Sequence, residues 1–506
     1  MLKFVSKITL CLALLISATS PAFSAELTPA MKDALSWIDS NKNTYEEIAR
    51  YIWENPELSL AEFKSSAKLQ EYLAIHGFKV EKGISGMPTA FIATWGSGKP
   101  VIGFTAEFDA LPGLSQESGV ATQKPIISGA PGHGCGHNLL GSSNATAAIA
   151  VTKAMEKHGI KGTIHVFGTP AEENLVGKAF MNRDGVFDGL DILIDMHPDF
   201  FNNIAYYSDN AITYIKYRFY GKASHAATPE KGRSALAAAE LMNAGANLIR
   251  PHLDKEVGIR YVITKGGESL GVIPAYAENL YRINARRRAQ AEDLEKWVMD
   301  LAKGAALMTQ TKVEAQILTA TYELLLSRSL SRVGYDFMKL LGPPPFTEDD
   351  HKFGEPFMKS IGKEPFQGKF SFAGRIEAPP DFSKVFPDVF LAGGSNDLNN
   401  IIWKIPLIRF FSSSWALWTG HHTWQSVAQS ASSPAMKGGI QASKWMAAMA
   451  LECFFNPRLI QEAKEELKTV VAKNGGYREP IPAEAKLPTF KDLFGIDPDA
   501  VPGMKK

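Results

Sequence analysis

Apolar residues between positions 28 and 76 recur at helical spacing, at Met31, Leu35 and Ile38 and again at Tyr45, Ile48, Tyr51 and Ile52. The pattern predicts helices there. Short apolar runs then take over. Residues 78–80 and 90–94 predict strands, and 100–106 reads as a buried strand whose C-terminal tip carries Glu107 and Asp109. An alanine-rich helix is expected over 142–158. A buried strand follows over 162–168, with Glu172 and Glu173 beyond its tip, and another over 191–197 that ends on His197-Pro198. Strands alternating with helices predict a largely parallel sheet covered on both faces. Ligands in such sheets bind beyond the carboxyl ends of strands, where Asp109, Glu172, Glu173 and His197 all fall.

From about residue 211 the texture changes. Residues 211–220 alternate like a half-buried strand, and 221–229 form a polar loop containing His225. A helix over 232–248, strands over 258–264 and 277–285, a helix over 291–309 and a strand over 313–322 complete the order of a small α+β sandwich of the split βαβ kind. The expected fold class is therefore α/β, a mostly parallel-sheet domain over 26–207 and 326–480 with an inserted α+β domain over 208–325, and a tail over 481–506. The returning chain carries Gly393-Gly-Ser395-Asn-Asp397, the cluster Thr419-Gly-His421-His422-Thr-Trp424 and a helix over 433–454.

The first 25 residues follow a different pattern. Lys3 and Lys7 flank the start of an apolar stretch over 8–16, and small residues follow to Ala25. This is the layout of a secretory signal peptide, with an apolar core too short for an ordinary membrane span. It predicts an exported protein, periplasmic or secreted, with no membrane span after its removal. The rest, about 480 residues, exceeds one ordinary core and predicts two domains. The 54 Lys and Arg nearly cancel the 53 Asp and Glu, which gives no support to a nucleic-acid partner. Only Cys135 and Cys453 follow the leader. Two cysteines do not make a disulfide scaffold, and a bond between them would consume the thiol in the most ligand-like loop.

That loop, 131–140, packs His133, Cys135, His137 and Asn138 between glycines. Cysteine and histidine suit a divalent transition metal, although a glycine-rich turn around a buried cysteine has the same composition. An acidic pair such as Glu172-Glu173 is ordinarily a solvated turn, and a histidine before proline is ordinarily structural. Several metal-type residues at several strand tips are harder to explain that way.

Cys135-Gly-His137, Glu172-Glu173, Met196-His197-Pro198 and a late His422, two residues before Trp424, together resemble the co-catalytic metal aminoacylase and carboxypeptidase family, in its amidohydrolase branch. Ala106-Glu-Phe-Asp-Ala-Leu-Pro-Gly113 and the Gly393–Asp397 phrase extend the resemblance, which spans about residues 30–455. It implies a metal-binding α/β domain with a lid and dimerisation domain. It further implies two divalent metal ions, zinc or manganese, with Cys135, His137, Glu173, His197 and His422 as ligands, the cysteine bridging or capping as a thiolate. Asp109 matches an aspartate that orients a ligand histidine, Glu172 the general base, and His225 a lid histidine that reaches the partner's site in a homodimer. A second related subunit is the alternative partner. The lid departs from the family pattern: Gly271 replaces an asparagine, and Asn284 stands where a carboxylate-binding arginine is usual. Arg282 and Arg286 share a strand face with Asn284, so all three are candidates for substrate binding.

The implied activity is hydrolysis of a small-molecule amide, an N-acyl or N-aroyl amino acid, by metal-activated water. The alternatives are a dipeptidase or carboxypeptidase of the same fold, a non-catalytic relative that binds metal or small ligands, and a thiol hydrolase using Cys135 with His137 or His133. The thiol reading predicts activity that survives chelators, and it leaves Glu173, His197 and His422 unexplained.

Overall fold

The computed structural model describes residues 26–379, the backbone of 390–391, and residues 394–504. The leader expected over 1–25 and the Gly393 position lie outside the described residues. Helices Pro29–Ser40, Lys42–Glu54 and Phe63–Ile75 account for the early helical pattern. The strands are β1 (Lys79–Lys82), β2 (Phe91–Ser97), β3 (Val101–Ala106), β4 (Gly162–Gly168), β5 (Ile192–Asp199), β6 (Asn203–Ile204), β7 (Tyr207–Ser208), β8 (Ala211–Tyr220), β9 (Gly258–Lys265), β10 (Tyr276–Ala285), β11 (Lys312–Thr321), β12 (Phe390–Leu391) and β13 (Leu407–Ser413).

The central sheet runs β1-β2-β4-β3-β5-β13-β6. Its middle strands β4, β3, β5 and β13 are mutually parallel, and antiparallel pairing is confined to the two edges. The middle strands are buried along nearly their whole length, as a sheet covered on both faces requires. One face packs on the helix His137–His158, which is flanked by Pro29–Ser40 and Ser433–Phe455. The first and last of these three meet closely because small residues line the contact. At Gly439 a Cβ would lie 2.8 Å from Ser143 Oγ and 1.7 Å from the Tyr45 hydroxyl oxygen, so position 439 has no room for a side chain.

The second sheet is antiparallel, in the order β11-β8-β10-β9. The helices Ala235–Ile249 and Arg288–Thr309 cover one face through Tyr217, Phe219, Tyr281 and Ile283. Alternation along β8 and β10 turns Tyr214, Lys216, Arg218, Glu278 and Arg282 to the other face.

The C-terminal tail carries no readable motif, yet it crosses between the two sheets. Arg183 donates to the Ala485 carbonyl at 2.6 Å. Lys216 reaches the Asp492 carbonyl at 2.8 Å, and Arg218 pairs with the Asp492 carboxylate at 3.0 Å. Phe490 and Val501 then bury against Leu58 and Ala61. Among the described residues no helix is long and apolar enough to cross a membrane.

Candidate metal centre

The parallel strands bring their C-terminal ends to one edge, and each end delivers part of the site. His137 is not in a loop, as the sequence spacing suggested. It is the first residue of the helix His137–His158, whose start precedes the expected position 142. Gly136 makes this possible, with φ of 73° in the left-handed region. A Cβ there would also lie 2.6 Å from Pro198 Cγ and 2.9 Å from Trp415. The Cys-Gly-His spacing thus lets the loop press against the end of β5.

The His137 Nδ1 lies 2.9 Å from Asp109 Oδ1 and 3.1 Å from the Asp109 carbonyl oxygen. Both are acceptors, so Nδ1 carries a proton and Nε2 faces inward. Asp109 is itself held by the Ser59 hydroxyl at 2.9 Å and the Glu173 N–H at 3.0 Å. His197 directs Nδ1 to the Pro198 carbonyl at 2.8 Å, leaving Nε2 3.5 Å from Cys135 Sγ. Glu173 Oε2 lies 3.3 Å from His422 Nε2. Two ligands on one tetrahedral zinc stand about 3.3–3.6 Å apart, given bonds of about 2.0–2.3 Å.

Ligand atoms of Cys135, Glu173 and His422 lie within 4.8 Å of one another, as do those of Glu107, His137 and His197. The buried His137 Nε2, Glu107 Oε2 and Glu173 Oε1 have no hydrogen-bond partner. Orphaned buried atoms of this kind are rare, and here they converge with a thiol. This set of thiol, imidazole and carboxylate donors fits a divalent transition metal. Burial raises the Cys135 thiol, but the His197 and His137 rings outweigh it and hold the group well below its usual value, in the thiolate form that binds metals. Cys135 and Cys453 are both free, so no disulfide consumes the sulfur.

Glu172 sits in the short turn Glu172–Asn174, bracketed by Ala171 and Leu175, both at φ of 58°. Left-handed non-glycine residues are strained, and such strain gathers at functional sites. Glu172 Oε2 lies 3.6 Å from His137 Nε2. Burial, then the negative charge of Glu107, pushes its carboxyl well above the usual range, a frequent property of proton-transfer groups.

The two adjacent histidines divide the site. His422, at φ of 60°, faces Glu173. For His421 the sequence alone points to a loop residue or a supporting donor. Its Nδ1 lies 3.8 Å from Cys135 Sγ and its Nε2 3.1 Å from Asp199 Oδ2. Burial lowers His421, but Asp199 outweighs it and raises the ring to about 10, so the carboxylate ties this ring more strongly than the sequence suggested. His133 turns away from the site, with Nε2 3.0 Å from the Ile52 carbonyl oxygen.

A cavity of about 440 Å³ opens on these groups, bordered by Glu172, Glu173, Tyr214, Arg282, Asn396 and His422. Of the three lid candidates, Arg282 alone lines it, and its buried Nε has no hydrogen-bond partner. Asn284 pairs across the strands with Gly258, and Arg286 forms an ion pair with Glu256 at 2.8 Å. His225 is exposed, accepts the Ala227 N–H at 2.9 Å, and does not line the cavity of its own chain. A larger groove of about 1080 Å³ lies between the helix Arg288–Thr309 and the tail, and no histidine or cysteine lines it.

Sequence reasoning missed Lys178 and Arg409. The fully buried Lys178 ammonium pairs with Glu107 at 2.8 Å and with Asp397. The Arg409 guanidinium pairs with Asp195 at 2.6 Å. Arg409 left a signal, a charge inside the apolar run of β13, because a buried charge requires a counter-charge. Lys178 left none, since its partners are far away in the sequence.

The family model described as Peptidase family M20/M25/M40 matches residues 103–368. The chain is 37% identical to a p-aminobenzoyl-glutamate hydrolase subunit of Escherichia coli (strain K12), over 88% of this chain and 96% of that protein. It is 27% identical to the Xaa-Arg dipeptidase of Mus musculus, over 88% and 94%. Its fold is similar to that of a Bacillus subtilis dinuclear metal binding peptidase, at a TM-score of 0.52 and 16% identity, covering 82% of this chain and 99% of that one.

Proposed function

Because the chain belongs to the M20/M25/M40 peptidase family, we propose that this metal-dependent amidohydrolase cleaves the amide bond of N-acyl or N-aroyl amino acids of the p-aminobenzoyl-glutamate kind. The observation that carries the reading is the convergence of Cys135, His137, Glu173, His197 and His422 beside Glu172 at one sheet edge. Similarity to the E. coli hydrolase over nearly the whole of both chains supports the substrate class.

Cys135, His137, Glu173, His197 and His422 would together hold the two ions. Bound zinc or manganese there supplies Lewis acidity and a water of lowered pKa. Glu172 takes a proton from the attacking water and returns it to the leaving nitrogen. Asp109 fixes the His137 tautomer. Arg282 offers its guanidinium to the substrate carboxylate, in place of an arginine at position 284.

The second domain serves as a lid and pairs with its twin in a homodimer. The second sheet ends on β9, where Val262 and Ile263 are 55% and 42% exposed, an edge suited to pairing with a second copy. A related chain of a different sequence is the alternative partner, in keeping with the E. coli relative's being one subunit of its hydrolase. The leader pattern supports export, which N-terminal sequencing of the mature protein tests.

A panel of N-acyl amino acids, p-aminobenzoyl-glutamate and dipeptides, run on metal-reconstituted protein, tests the substrate reading. Cleavage confined to dipeptides would replace it with the dipeptidase reading. At the two histidines, His422→Ala is expected to lose about one bound ion per chain, whereas His421→Ala keeps both and turns over more slowly. Elemental analysis of the two variants checks this, and the opposite pattern would reverse the assignment.

A further inference from the structure

Two phrases of the sequence, Ala106–Gly113 and Gly393–Asp397, contribute Glu107 and Asp397, and the proposed mechanism uses neither. They meet in the structure. Lys178 Nζ bridges Glu107 Oε1, at 2.8 Å, to Asp397 Oδ1, and the Lys178 backbone N–H donates to Asp397 Oδ2 at 2.7 Å. All three side chains are fully buried. Lys178 thus pins one carboxylate oxygen of Glu107 and leaves the other free.

The free oxygen, Glu107 Oε2, lies 3.2 Å from His137 Nε2. Neither atom has a hydrogen-bond partner. The carboxylate and carbonyl of Asp109 take the proton at His137 Nδ1, which turns Nε2 toward Glu107. A shared cation, a proton or a metal ion, satisfies both atoms at this distance, and the grouping of these ligand atoms fits a metal. Ligands on one tetrahedral ion lie about 3.3–3.4 Å apart for bonds of about 2.0–2.1 Å, close to this separation. His197 brings its ligand nitrogen into the same group.

We infer that Glu107 is a further ligand of the ion held by His137 and His197, and that Lys178, anchored by Asp397, is the residue that positions it. The inference rests on the binuclear reading of the site. It assigns that ion a carboxylate in addition to its two imidazoles, and it explains why a lysine is buried beneath the site, where an unpaired ammonium would be costly.

The test starts from metal-free protein prepared with a chelator and titrated with zinc in competition with a chelating dye. The unmodified protein is expected to bind two ions. Glu107→Gln should bind the tighter or the weaker of them at least tenfold less well, a loss typical of metal-site residues, and its cobalt(II) form should show an altered visible spectrum. The paired variant Glu107→Gln/Lys178→Met removes both charges and serves if the single variant does not fold. A zinc-loaded crystal structure of the unmodified protein decides the matter without any variant. A Glu107 oxygen at about 2.0–2.2 Å from zinc supports the assignment, and one beyond about 3 Å, well outside such a bond, overturns it. Unchanged affinity and spectrum in Glu107→Gln, with two ions in the unmodified protein, would also overturn it while leaving the binuclear reading intact. No bound metal in the unmodified protein would overturn both.

Discussion

Glu172→Ala is expected to leave bound metal near that of the unmodified protein while turnover falls roughly 10²–10⁴-fold, the usual effect of removing a general base. The geometry separates the two quantities. Glu173 faces His422, and Asp109 and Glu173 are joined through a backbone hydrogen bond that does not involve the Glu172 side chain. Glu172 stands at the inner wall of the cavity, above Glu107 and His137, where burial raises its carboxyl. Its removal takes away the proton carrier and leaves the proposed ligands in place. Elemental analysis beside a rate measurement checks this, and near-normal turnover would take Glu172 out of the mechanism.

His225→Ala is expected to stay folded and metal-loaded and to lose roughly 10²–10³-fold in kcat, the effect of losing one donor to an oxyanion. The side chain is exposed on a loop of the second domain that is bridged to Val272 and held by the Ala226 N–H to the Gly271 carbonyl oxygen at 2.9 Å. It does not line the cavity of its own chain, so its proposed role requires a second copy. Mixing His225→Ala with Glu172→Ala under conditions of subunit exchange should restore part of the activity, because one cleft of the mixed dimer then has its own Glu172 and the other chain's His225. No recovery in mixed dimers confirmed by mass would remove the shared site. A His225→Ala variant as fast as the unmodified protein would remove the role.

The sheet was legible because apolar runs and helical spacing alternate regularly, and the strand tips could be read from the carboxylates and histidines that end those runs. Glu172, Glu173 and His197 were visible for that reason, and Cys135 and His137 because a glycine-rich loop carries metal-type side chains. Glu107 was visible only as a position, since its partner Lys178 lies 71 residues away and Asp397 lies 219 residues beyond Lys178. Periodicity says nothing about such pairings. The start of the helix at His137 was hidden because glycine and histidine around it resemble a loop, and only the left-handed Gly136 shows how a turn becomes a helix end. Among the lid residues, a shared strand face could not separate Arg282 from Asn284 and Arg286. In the structure Arg282 is the one of the three that lines the cavity. The tail was illegible because the contacts that place it, such as Asp492 with Arg218, are made to distant elements.

The binuclear centre is tested most directly by the metal content of the unmodified protein, Cys135→Ala and His197→Ala, each purified without added chelator and analysed for metal per chain. The arrangement of Cys135 Sγ 3.5 Å from His197 Nε2 and within reach of Glu173 and His422 leads to two ions in the unmodified protein. Both variants should lose metal together with activity, and chelation should inactivate the unmodified protein reversibly, with zinc or manganese restoring it. Full metal stoichiometry in both variants would contradict the centre described here.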